Sequence, residues 1–245
     1  MKQLKSLSII SLVLAAGLLS ACQIAMIRGS GHVITDKRNV SGFNAVSFSG
    51  IGEINLTQGE SESLTIEAED NIAPHFITEV KNNTLYIHED QSATRSWLQP
   101  TRPVRFNLSV KNLNAFDLLG VGNIRSASLK ADSLSISING AGSIHLDRLD
   151  ANALTANING TGDVDIAGKV DQQNTHLSGT GSYRTPDLQS QSAAVDISGA
   201  GSATVWAQES LTAHISGAGT VAYYGHPQVN QSISGVGSIK GLGNK

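Results

Sequence analysis

The chain has 245 residues, a formal net charge of −3, 15% charged and 4% aromatic residues, and one cysteine. The acidic balance argues against a nucleic-acid partner, and a single cysteine excludes an internal disulfide. Abundant Ser, Asn, Thr and Gly would suit a disordered polymer, but Ile, Leu and Val return at fixed positions, which points to a packed core.

Residues 1–22 read as an export signal. Lys2 and Lys5 give a basic start, residues 7–19 are largely apolar, and the stretch is too short to span a bilayer as a helix. Its end, Leu19-Ser20-Ala21-Cys22, resembles the bacterial lipobox, which implies cleavage before Cys22 and lipidation of that residue. Gln23 follows in place of the aspartate associated with inner-membrane retention, so the resemblance implies an outer-membrane lipoprotein in a diderm host, facing either the periplasm or the exterior. Each buried CH₂ of a lipid anchor contributes about 0.8 kcal/mol, and multiple chains give durable attachment. Removal of residues 1–22 takes two lysines and no acids, so the mature charge becomes −5. Residues 23–31 are expected to be a short linker, holding the domain close to the bilayer.

Residues 32–112 carry alternating strand patterns at 43–49, 53–58, 63–68, 76–80, 84–88 and 103–111, with Asn82-Asn83 as a hairpin turn. Their irregular spacing suggests the opening coils of a larger structure together with antiparallel strands that cap one end. Residues 89–103 read as an insertion. Within it, Trp97, flanked by Arg95 and Arg102, is either a lid on the capped end or a contact for a sugar or protein partner.

Residues 113–245 are a repeat. The motif Gly-x-Gly, usually preceded by Ile and Ser or Asn, begins at Gly50, Gly120, Gly140, Gly160, Gly179, Gly199, Gly217 and Gly235, so the last seven copies are 18 to 20 residues apart. Apolar residues lie two, four and often six positions before the first glycine, as in Leu134, Ile136 and Ile138, and again four and six positions after it, as in Ile144 and Leu146. That period of two marks a strand on each side of the glycines. One unit cannot bury its apolar face alone, whereas stacked units can. The expected fold is all-β: a single-stranded parallel β-solenoid with 18–20-residue coils, capped by the N-terminal strand region. The glycines permit a sharp corner and close backbone approach. They are not followed by the helix of a phosphate-binding loop, and only Asn159-Gly160-Thr161-Gly162-Asp163-Val164-Asp165 resembles a nine-residue calcium repeat. Cofactors and metals are therefore not expected.

The run Arg38-Asn39-Val40-Ser41-Gly42-Phe43-Asn44-Ala45-Val46-Ser47-Phe48-Ser49-Gly50-Ile51-Gly52-Glu53-Ile54, followed by Gln58-Gly59 and the glycine array, resembles the bacterial head GIN domain family of auto-transporter adhesins. The resemblance covers about residues 38–240. It implies an exported β-solenoid with an adhesive role and supplies no catalytic residues.

Register in a solenoid turns equal offsets into columns. Three positions before the first glycine the column reads Asp117, Ser137, Asn157, His176, Asp196, His214 and Ser232. The His176, Asp196 and His214 segment is either a site able to tune a base or help bind a metal, or part of an ordinary solvated ladder. Seven positions after the glycine come Pro186, Trp206, Tyr224 and Leu242, an aromatic and apolar stripe that either contacts a partner or fills a corner of the core. The other histidines seen in this reading, His32, His75, His88 and His226, have no metal-ligand spacing. The final residues continue the repeat without a cap, so the last edge is expected to meet another copy or a partner, or to be crossed by the tail.

The function expected is binding: a lipid-anchored envelope protein presenting a rigid surface for adhesion or for an envelope glycan or protein. Two alternatives stand beside it, a polysaccharide lyase or hydrolase, which would need paired carboxylates, and a structural assembly component.

Overall fold

The computed structural model describes residues 26–90 and 97–245. Cys22 and the rest of the signal segment, and Arg95, lie outside the described residues. Met26–Arg28 (β1), inside the span read as a linker, is a short strand, and it is followed by Val33–Arg38 (β2), Ala45–Ser49 (β3), Ile51–Gln58 (β4) and Ser63–Glu69 (β5). A hairpin of Phe76–Lys81 (β6) and Thr84–Glu89 (β7) comes next, then Trp97–Gln99 (β8) and Arg105–Val110 (β9). Asn82 and Asn83 both adopt positive φ, 50° and 61°, as a type I′ hairpin turn between Lys81 and Thr84 requires.

The repeats then begin with Ala115–Leu118 (β10), Val121–Ser126 (β11) and Leu129–Ile138 (β12). Three long strands follow: Ala141–Ile158 (β13), Thr161–Leu177 (β14) and Thr180–Ile197 (β15). Ala200–Ile215 (β16), Ala218–Tyr224 (β17), Gln228–Ile233 (β18) and Val236–Gly243 (β19) complete the order. Each long strand stays extended through most of a coil and is interrupted only at the glycine corner.

All pairings between successive coils are parallel. On the face before the glycines, β3 pairs with β10, β10 with β12, and the ladder continues through Asn157, His176, Asp196, His214 and Ser232. On the face after them, β4 pairs with β11, β11 with β13, and so on to β19. A third face runs through Leu129, Leu149, Gly168 and Leu188. The fold is the β-solenoid expected from the spacing, with coils of about 20 residues and an N-terminal mixed-sheet region.

The glycine corner explains why no other residue serves there. A Cβ on Gly140 would lie 1.9 Å from the Gly120 carbonyl oxygen of the coil before, and one on Gly142 would lie 1.7 Å from that of Gly122. Gly142 also has φ +154°, which side-chain-bearing residues rarely adopt. The corner backbone is hydrogen-bonded coil to coil: the amides of Asn139 and Gly140 both donate to the Leu118 carbonyl, at 2.8 and 3.0 Å.

Alternation places the inward residues in buried columns. Ile124, Ile144, Val164 and Tyr183 are each at most 2% exposed, as are Leu118, Ile138, Ile158, Leu177, Ile197 and Ile215. At the N-terminal end, Phe48 and Phe76 each meet the Phe106 ring edge-on, with centroids 5.0 and 5.1 Å away. That aromatic plug closes the core under the cap, where β5 pairs antiparallel with β9 and β2 antiparallel with β5. At the other end, Val229 and Ile233 occupy the inward positions of Leu211 and Ile215 but are 37% and 44% exposed.

Candidate functional site

The outward column before the glycines forms with the register expected. Tyr86, Ser47, Asp117, Ser137, Asn157, His176, Asp196, His214 and Ser232 pair successively across the coils. His176 is exposed, while Asp196 and His214 are half-buried. The register brings these three into one line at the parallel-strand spacing of about 4.8 Å. The ion pairs of the solenoid exterior run elsewhere. Among the described residues, no group of three His, Cys, Asp or Glu side chains gathers closely enough to hold a metal ion. At the N-terminal end of this face, Tyr86, His88, Glu89, Ile77 and Leu119 line a cleft of ≈ 520 Å³. Burial in it raises the pKa of Glu89 above the usual carboxylate value.

The face after the glycines carries a charged column that the sequence reading missed. Five positions beyond the first glycine, Arg125, His145, Asp165 and Arg184 pair across successive coils. Arg184 reaches Asp163 at 3.6 Å and Asp165 at 3.8 Å, and His145 lies 2.8 Å from Asp147 and 4.0 Å from Asp165. The same alignment at an offset of five finds these residues directly. Asp163 and Asp165 lie against Arg184, and Asp147 and Asp165 against His145, so part of the column's charge is paired on the surface and its exterior offers hydrogen-bonding groups. Beside it, Ser143 donates to Asn123 at 2.7 Å, and at the corner Asn159 donates to Asn139 at 2.8 Å, so the polar exterior is laced from coil to coil.

Trp206 and Tyr224 are register partners on adjacent coils, both half-buried. The rest of the expected stripe departs from equal offsets. Between Arg184 and Gln189 the strand carries extra residues, so Gln189 rather than Pro186 faces Trp206, and Tyr224 faces Gly243 rather than Leu242. Pro186 and Asp187 are pushed outward beside the aromatic pair. There the Lys245 ammonium lies 6.0 Å from the Trp206 ring centroid and 5.4 Å from that of Tyr224. It donates to the Pro186 carbonyl at 2.8 Å and pairs with the Asp187 carboxylate.

At the capped end, Trp97 does not close the core as a lid. It lies in β8, which pairs with β1, and is 69% exposed. Leu98, the next residue, packs against the core, so strand alternation turns Trp97 to the opposite side. Arg102 is exposed, and its backbone amide points at Glu69. Glu69, 1% exposed, ties this end together: its carboxylate accepts from Thr101 Oγ1 at 2.5 Å, Thr101 N at 2.8 Å and Gly31 N at 2.6 Å. A further cleft, ≈ 540 Å³, lies at a solenoid corner and is lined by Gln58, Lys130, Asp132, Asp150 and Asn152.

Residues 42–227 match the family described as "Putative auto-transporter adhesin, head GIN domain". Among solved structures, a "putative adhesin" from Bacteroides fragilis NCTC 9343 is 28% identical, with a TM-score of 0.82 over 88% of this chain and 100% of that one. A "putative lipid binding protein" from Parabacteroides distasonis ATCC 8503 is 22% identical, with a TM-score of 0.70 over 89% of this chain and 99% of that one. A "putative adhesin" from Parabacteroides merdae ATCC 43184 is 20% identical, with a TM-score of 0.68 over 89% and 99%. The two Parabacteroides structures support the fold. No curated protein matches the chain. The family match covers most of the chain and coincides with the capped solenoid, so this protein belongs to the head GIN domain adhesin family.

Proposed function

We propose that the protein is held on the cell envelope, at the outer membrane, by a lipid on Cys22 and presents its solenoid as a rigid contact surface for an envelope or extracellular glycan or protein. One observation carries the reading: the outward column from Asp117 to Ser232 is in unbroken register, a polar track about 29 Å long at the parallel-strand spacing. Side chains repeated at fixed intervals on a stiff sheet suit a ligand that is itself long and repetitive. Tyr86 and Leu119 at one end, and exposed Trp97 on the cap, add surfaces on which a sugar ring or a partner side chain can pack.

The test is a glycan array and an envelope pull-down with the purified full chain, repeated with Trp97→Ala and with His176→Ala combined with His214→Ala. Selective capture that weakens in at least one variant supports the reading, and absence of selective capture by the wild-type protein overturns it. Replacement of Cys22 by Ser should abolish palmitate incorporation and release the protein from membranes.

A second reading, assembly, is favoured by the exposed Val229 and Ile233, whose counterparts one coil earlier are fully buried. In it the last described coil docks on a second copy or another envelope protein. Sedimentation at rising concentration tests the self-docking form of this reading, and envelope pull-down with Val229→Thr combined with Ile233→Thr tests the other.

A further inference from the structure

We infer that Trp206, Tyr224, Asp187 and the Pro186 carbonyl form a recognition site for a primary alkylammonium group of the lysyl type, occupied in this structure by the chain's own Lys245. The inference deepens the surface-binding reading by giving one part of the surface a ligand chemistry, and it rests on that reading only for the idea that such a ligand arrives from outside.

The site is built by a local exception in the repeat. Between Arg184 and Gln189 four residues face a single residue, Val205, on the next coil. The surplus projects Pro186 and Asp187 outward. Register then stacks Trp206 and Tyr224 on the following two coils. An anion, a carbonyl and two aromatic rings thereby converge on one point.

Lys245 shows what that point accepts. Its side chain is only 31% exposed, although the carboxylate it meets is 64% exposed, so the aromatic walls cover the aliphatic stem while the charge stays close to water. The ammonium stands within cation–π range of both rings. It also donates to two separate acceptors, the Pro186 carbonyl and the Asp187 carboxylate. A quaternary ammonium has no N–H to give either of them. The site is therefore selective for a primary amine on an alkyl stem over its trimethylated form, which distinguishes it from an aromatic cage that reads methylated cations.

An internal occupant competes with any external one at an effective concentration in the millimolar range. Removal of the Lys245 side chain should therefore open the site. The experiment is a calorimetric titration of the full chain with Nα-acetyl-lysine N-methylamide and with its Nε-trimethyl analogue. Lys245→Ala is expected to bind the primary amine about tenfold more tightly than the wild-type protein does, and the trimethyl analogue about tenfold more weakly than the primary amine. Adding Trp206→Ala or Asp187→Asn to Lys245→Ala should abolish the gain, with circular dichroism confirming that each variant is folded. Equal binding by wild type and Lys245→Ala, equal affinity for the two probes, or undiminished binding in the Trp206→Ala double variant would each overturn the inference. Failure of envelope capture with this titration intact would instead count against the surface-binding reading alone.

Discussion

The Tyr183 hydroxyl donates to Gln173 Oε1 at 3.1 Å inside the solenoid, where both side chains are at most 1% exposed. Gln173 occupies a column that is otherwise Leu134, Leu154, Ala193 and Leu211. Its polarity has a local cause. The surplus residues after Arg184 interrupt the coil-to-coil ladder, and buried side chains take over: Thr185 donates to Gln173 Oε1 at 2.9 Å and lies 3.0 Å from the Thr204 carbonyl, and Ser190 donates to the Trp206 carbonyl at 2.7 Å. Gln173 Nε2 meets the Ser190 hydroxyl at 2.8 Å. Burial pushes the Tyr183 pKa far up, so the phenol remains a donor.

Tyr183→Phe removes one donor while Thr185 still serves Gln173, and should cost about 0.5–1.5 kcal/mol in urea unfolding. Gln173→Leu orphans the buried Tyr183 hydroxyl and should cost about 1–3 kcal/mol. The double variant leaves no orphan at that pair, so its cost should fall short of the sum of the singles. Strict additivity would mean that the two groups are not coupled.

The departure at Gln173 marks the boundary of what the sequence makes legible. Spacing of the glycines and period-two alternation suffice for coil length, inward columns and the register of Asp117 through Ser232, because each coil is built on the one before. The strand stretches of the cap, and the turn at Asn82-Asn83, are legible for the same local reasons. Polar Gln173, at a position held by Leu or Ala in the neighbouring coils, is a visible anomaly, but the bulge it serves depends on which residues of the next coil lie opposite. Equal-offset alignment places Pro186 beside Trp206, and the bulge breaks that alignment. Trp97 was legible as a candidate contact, whereas its exposure depended on the pairing of β8 with the distant β1, which turns Leu98 to the core and Trp97 away from it. The charged column at Arg125, His145, Asp165 and Arg184 was fully available to the offset argument and was overlooked because no single repeat displays it.

Substitutions of glycine should separate two constraints. Gly42 has φ +76° with open space around its Cβ position, so Gly42→Ala should cost about 1–2 kcal/mol from backbone conformation alone. Gly142→Ala combines an unfavourable φ, worth about 1–3 kcal/mol, with a Cβ 1.7 Å from the backbone of the preceding coil. The coils must part to admit it. Thermal melts should show a much larger loss for Gly142→Ala, and equal losses would remove close coil stacking as the reason for the glycine ladder.

Acid should loosen the capped end first. Burial acts to raise the Glu69 pKa, but hydrogen bonds from the Thr101 hydroxyl and from the amides of Thr101, Gly31 and Arg102 outweigh it and hold the pKa below its ordinary 4.5. A carboxylate with a depressed folded-state pKa contributes stability that is present above 4.5 and is lost as pH falls through the lowered value. Protection of the amides around Gly31 and Thr101, measured against the intrinsic exchange rate at each pH, should therefore fall on acidification below that point, ahead of protection in the β13–β15 core. Glu69→Gln should already exchange faster near neutrality and show a shallower acid dependence. An acid response unchanged by that substitution would remove Glu69 as its cause.

The last coil supplies a prediction of the opposite sign. Val229 and Ile233 continue core columns yet remain 37% and 44% exposed, so changing either to a polar residue removes little buried area. Val229→Thr combined with Ile233→Thr should shift monomer stability by less than about 1 kcal/mol, whereas Leu211→Ala, one coil inside, should cost about 2–5 kcal/mol. If this end docks on another copy, the wild-type protein shifts toward dimer as its concentration is raised, and the double threonine variant stays monomeric over the same range. The contact would bury the two side chains and pair the free edges of β18 and β19, and their exposed strand edge is the feature that other sheets cover or charge. A wild-type monomer at all concentrations would exclude self-docking and leave a different envelope protein as the only occupant open to the assembly reading.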